Sequence, residues 1–100
     1  MGALDIAVTG MASAEVRLAA SAHNVANLVT ENVRPLRTTQ VSVEPGAGSV
    51  AFAQQTALPE PVDYAQEFVQ QVLASLQYRA SARVVATDAA MRGSLLDLFA

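Results

Sequence analysis

Residues 63–98 read DYAQEFVQQVLASLQYRASARVVATDAAMRGSLLDL, and this stretch decides the fold. Apolar side chains return at Val69, Leu73, Leu76, Ala80, Val84, Met91, Leu95 and Leu98, with Thr87 completing the series, at steps of three and four. That spacing predicts one long α-helix carrying a single apolar stripe. Its mean step of about 3.67 residues per turn favours nearly straight packing over a left-handed supercoil. Asp63 and Gln66 have the spacing of an N-terminal cap, and Pro59-Glu60-Pro61 stands just before them. Gly93 costs about 1 kcal/mol relative to Ala, so the last turn and a half is expected to fray without a partner.

Working outward, residues 4–29 read LDIAVTGMASAEVRLAASAHNVANLV. Leu4, Val8, Met11, Leu18, Ala22, Val25 and Val29 recur at helical spacing, interrupted where Glu15 replaces an apolar residue. Between the helices, residues 37–44 and 49–55 alternate apolar and polar side chains around Pro45-Gly46-Ala47-Gly48, the pattern of a β-hairpin. The expected fold is mainly α. Two long terminal helices pack as an antiparallel coiled-coil-like pair, joined by a short β-hairpin segment, in one domain spanning 1–100, with helices at 3–30 and 62–98 and the hairpin segment at 35–58. Leu4, Val8, Met11, Leu18 and Val25 are expected to face Val72, Leu73, Leu76, Val84 and Met91, within or between subunits, in a seam that also holds Val69 and Leu95. Val41, Val43, Val50 and Phe52 are expected to anchor the hairpin.

Composition bounds what such a chain does. It has 100 residues, 52% hydrophobic and 15% charged, with no Cys, so one small ordered domain is expected, without a disulfide scaffold or Cys-based zinc site. Its charge is unusually sparse for a globular surface, and a two-helix core is too thin to hide that much apolar area. Lateral packing into an oligomer follows as the expectation. The alternative is a compact helical monomer whose many Ala residues tolerate exposure. A net charge of -3 has the wrong sign for a phosphate-backbone binder, so no nucleic-acid partner is expected. The start Met1-Gly2-Ala3-Leu4-Asp5-Ile6 has no cationic region ahead of an apolar one, and no apolar run approaches about 18 residues; neither a cleavable signal peptide nor membrane insertion is expected.

Catalytic constellations are missing. His23 is the sole histidine, and the hydroxyl of Ser21 points elsewhere on a helix, so it reads as a polar residue on a partly exposed face. Asp63, Glu67, Asp88 and Asp97 are spread along one helix and read as solvated charges. Gly46-Ala47-Gly48 lacks the Lys-Ser/Thr and helix start of a phosphate cradle, and lysine is absent, which removes Schiff-base chemistry. Neither enzyme activity, a metal nor a cofactor is expected.

A longer ordered pattern is more specific. Gly10-Met11-Ala12, Leu18, and the string from Asn24 through Asn27, Thr30 and Asn32 to Arg34 resemble the N-terminal signature of bacterial flagellar rod and hook proteins. Glu67-Phe68-Val69, Tyr78, Ala80, Arg83-Val84-Val85, Thr87, Asp88, Met91 and Leu95-Leu96-Asp97-Leu98 resemble their C-terminal helix. The chain departs from the family pattern at His23, Val33, Leu76 and Ser81. Its short middle segment is similar to the proximal rod proteins rather than to members with large inserted β domains.

Physical chemistry gives the first motif a role. Asn24 and Asn27 lie near a helix end, where their amides are expected to bind carbonyls left without intrahelical partners. Thr30 is expected to bond locally, and Asn32 to take the left-handed conformation that the family's Gly adopts. The resemblance implies a structural part of the flagellar basal-body rod, self-assembling through its terminal helices to transmit torque in motility. It further implies other axial rod proteins and the flagellar type III export apparatus as partners, a place in the periplasmic rod, export without a cleavable signal, and no cofactor. A competing reading is a small non-polymerising helical adaptor of flagellar assembly, whose stripe binds one partner helix.

Overall fold

A computed structural model describes residues 2–99 of the chain. The order is α1 (Ala3–Ala26), β1 (Leu36–Ser42), β2 (Ser49–Gln55) and α2 (Tyr64–Phe99). The fold is mainly helical, with the two helices packed against each other and an antiparallel hairpin between them in the chain. The molecule is elongated, 63 × 25 × 14 Å with a radius of gyration of 17.5 Å, where a compact chain of this length has about 13 Å.

Helix starts follow local chemistry. The Asp63 carboxylate accepts from the backbone N–H of Ala65 at 3.0 Å and of Gln66 at 3.4 Å, satisfying donors that no helix can pair internally. At the other terminus, Gly2 N–H donates to Asp5 Oδ2 at 3.3 Å. Helix α1 stops at Ala26 rather than running to residue 30. Helix α2 passes through Gly93 without a break.

The two strands pair from Leu36↔Gln55 to Ser42↔Ser49. Their turn places Pro45 and Gly46 at its centre, closed by Ala47 N–H to Glu44 C=O at 2.9 Å, with Gly46 at φ 82; Pro followed by a positive-φ Gly is the chemistry of a type II turn. Gly48, at φ 87, presses its backbone against the Thr9 side chain, where a Cβ has no room. The neighbouring Ser49 N–H donates to Thr9 Oγ1 at 3.2 Å, and the Ser13 and Ser49 hydroxyls meet at 3.2 Å. The hairpin therefore docks by Ser49 and Ala51, the latter buried, onto α1. This corrects the expected hairpin anchors. Val41, Val43 and Phe52 are exposed and Val50 is half-buried, because the small-residue face of the hairpin fits the small-residue face of α1 more closely than the bulky one.

The same preference governs the helix pair, and within the chain the expected seam does not form. On α1 the residues turned toward α2 are Ala7, Gly10, Ala14, Arg17, Ser21 and Asn24; on α2 they are Glu67, Gln70, Ala74, Gln77, Ser81 and Val84. Each set steps by three and four, a heptad seam built from small and polar side chains. Gly10 permits the approach, since a Cβ there would sit 2.6 Å from Ser81 Oγ. Among the described residues the buried apolar ones are Ala7, Ala14, Ala20, Ala51 and Ala74, with Pro35 ahead of β1. Relative to this seam, the stripe Leu4, Val8, Met11, Leu18, Val25 is displaced by one residue, about 100° of helix rotation.

Candidate functional site

Two features of the surface and interior bear on function: a polar clasp at the exit of α1, and an outward stripe of large apolar residues.

The clasp is centred on Asn24, 1% exposed. Its Oδ1 accepts from Leu36 N–H at 2.7 Å, and its Nδ2 donates to Leu36 C=O at 2.8 Å and to both Glu67 oxygens at 3.1 Å. One amide thereby ties α1, the start of β1 and α2 together. It does not bind the free carbonyls of its own helix, as the helix-end expectation had it, because its face of α1 is turned inward. Asn27 lies outside the clasp: its Nδ2 donates to the helix-terminal carbonyl of His23 at 2.9 Å. Thr30 Oγ1 donates to Asn27 Oδ1 at 3.1 Å, and Asn32 stands at φ 54. These three shape the exit turn, while Asn24 fastens the elements.

Glu67 is 3% exposed, which corrects its reading as a solvated charge. Besides Asn24, its carboxylate has the Arg37 guanidinium at 3.8 Å, and Arg37 also pairs with Glu60. Ser21 Oγ donates to the Glu67 backbone carbonyl at 3.0 Å. A buried carboxyl of this kind is sustainable because the Asn24 amide donates to both its oxygens and the Arg37 guanidinium lies beside it. Further along the seam, Arg17 donates to Gln77 Oε1 at 2.8 Å and Gln70 Oε1 at 3.1 Å, and Gln77 returns a bond to Gly10 C=O at 3.0 Å. A pocket of about 200 Å³ lies among Arg17, Ser21, Asn24, Arg37, Glu67 and Gln70. Among the described residues, every buried side-chain N or O has a hydrogen-bond partner, so the clasp is saturated from within the chain. Sequence spacing hid Glu67, Arg17, Gln70 and Gln77; the seven-residue recurrence of Ala7, Ala14 and Ser21 is the signal that exposes them.

The apolar stripe lies outside. Val8, Leu18, Val69, Val72, Leu73 and Leu76 are all exposed, between 43% and 53%, and Leu4, Met11 and Val25 are half-buried. They do not face one another across the helix pair. Met91 and Leu95, exposed by 63% and 55%, lie past the end of α1. Leu18 flanks a groove shared with Ala14, Ala74, Tyr78 and Arg79, so on α1 the stripe borders the seam without entering it. Among the described residues, no three His, Asp or Glu side chains converge as metal ligands, and no helix is long and apolar enough to cross a membrane.

Compared with models of known protein families and with curated proteins, the chain matches none.

Proposed function

We propose that the chain is a structural subunit that self-assembles laterally through the outward stripes of α1 and α2, as a short proximal-type member of the flagellar basal-body rod family. The carrying observation is an inversion of the usual arrangement. Alanine, serine and polar side chains seal the inside, while Val8, Leu18, Val69, Leu73 and Leu76 stand half-exposed outside. Large apolar side chains left open to this degree on both helices mark contact surfaces. The ordered resemblance at both ends of the sequence makes that contact axial, with copies of itself and other rod proteins as neighbours, the periplasmic rod as its place, and type III export as its route. The clasp keeps the helix pair and hairpin in one rigid piece, as transmission of torque requires.

The test is light scattering coupled to size-exclusion chromatography over a concentration series. The unaltered chain is expected to gain mass with concentration. Leu18→Asp with Leu76→Asp is expected to hold a small fixed size with unchanged helix content, because both positions are already about half open to water and a charge there disrupts only an intermolecular contact. Unchanged growth in that variant overturns the lateral stripe. A fixed size in the unaltered chain favours the non-polymerising adaptor instead.

A further inference from the structure

The helix pair is unequal in length. α1 has 24 residues and α2 has 36, and with Asn24 beside Glu67 and Gly10 beside Ser81, α1 runs out near residue 88 of α2. The seam on α2 does not run out there. Glu67, Ala74 and Ser81 recur every seven residues, and the next positions are Asp88 and Leu95. Gln70, Gln77 and Val84 recur likewise, and the next are Met91 and Leu98. The track that holds α1 thus continues in register past its end, and its composition changes there from small and polar to large and apolar. The eleven-residue drift of the outer stripe brings it onto this track at Val84, the last residue opposite α1.

We propose that residues 88–99 of α2 pair with the same segment of a second copy, the two running antiparallel. The occupant is argued from continuity with the α1–α2 interface. A helix that continues the antiparallel packing of α1 along that track runs opposite to α2, and the α2 end of a second copy does so under two-fold symmetry. With the axis near Gly93, Met91 meets Leu95 of the second copy and Asp88 meets Leu98 of the second copy. Such an isologous contact is self-complementary and closes at two copies. The charge at the head of the track is compensated within each chain, since Arg92 Nε donates to Asp88 Oδ2 at 2.8 Å. A Cβ added at Gly93 would meet nothing within 4 Å, and a partner on the track offsets the helix propensity this residue lacks. Leu98 and Phe99, 77% and 87% exposed, are covered in the pair. This pairing uses the far end of the α2 stripe, past α1, and none of the residues Val8, Leu18, Val69, Leu73 and Leu76 that carry the proposed function, so it stands independently of that reading.

The test uses the full chain with Leu18→Asp and Leu76→Asp, so that lateral assembly is silenced. Light scattering is expected to give two copies at high concentration and one on dilution. Adding Met91→Glu and Leu95→Glu, at positions that touch nothing on α1, is expected to weaken the pair by at least about 100-fold with helix content kept. The chain has no Cys, so a mixture of single Met91→Cys and Leu95→Cys chains is expected to form the mixed disulfide in preference to either symmetric one under mild oxidation. A single copy at every concentration, a pair indifferent to the two glutamates, or dominance of the symmetric disulfides overturns the proposal. Continued growth in the Asp background overturns the lateral stripe instead, and the disulfide preference then still decides the pairing.

Discussion

The two halves of α2 occupy one heptad track with opposite chemistry. From Glu67 to Val84 the track holds Glu, Gln, Ala, Gln, Ser and Val, and α1 lies against it; from Asp88 to Leu98 it holds Asp, Met, Leu and Leu, and it extends past the first residue of α1. The difference teaches that side-chain size selects the partner. Small residues let helix axes approach closely and hand specificity to hydrogen bonds, whereas large ones hold a partner further off and rely on buried area. The paired half is therefore held by a few exacting polar contacts, and the free half awaits bulk.

The largest break in this contrast is expected at Asn24. Asn24→Ala removes both bonds to Leu36 and leaves the buried Glu67 carboxylate short of donors, a loss of about 2–4 kcal/mol. Urea unfolding followed by circular dichroism measures it, and a loss under about 1 kcal/mol shows that the clasp is dispensable. Next comes Gly48→Ala. The backbone there is at φ 87 and its face abuts Thr9, so strain and overlap together cost about 2 kcal/mol. The double variant with Thr9→Ala recovers the overlap part alone, which separates the two causes in the same unfolding experiment.

How far these contrasts are legible in the sequence differs by element. The helices, the Asp63 start and the Pro45-Gly46 turn are readable because each rests on local chemistry: periodicity, a carboxylate beside free N–H groups, a residue that tolerates positive φ. The rotation of each helix is not local. Apolar periodicity marks Val8, Met11 and Leu18, one residue past the seam positions Ala7, Gly10 and Arg17, because hydropathy weighs bulk while the interior of this pair is chosen for smallness. Glu67 reads as solvated for a related reason: its donors come from residues 24 and 37, which only the fold assembles. The exit motif is split accordingly. Asn27, Thr30 and Asn32 act within a few residues and are readable, whereas Asn24 acts across the molecule and is not.

The mildest prediction sharpens the free half. Gly93 sits in helical conformation with nothing within 4 Å of a Cβ built upon it, so Gly93→Ala meets no obstacle and gains helix propensity of about 0.5–1 kcal/mol. In the single copy that gain falls on a segment that extends past the first residue of α1 and is exposed from Ala89 to Phe99, where it raises local helicity more than global stability. Amide hydrogen exchange at residues 88–99 is expected to slow several-fold in the variant, with exchange at residues 67–84 unchanged. A matching slowdown across both halves would mean that α2 opens as one cooperative unit, and the contrast between its two halves would be one of composition alone.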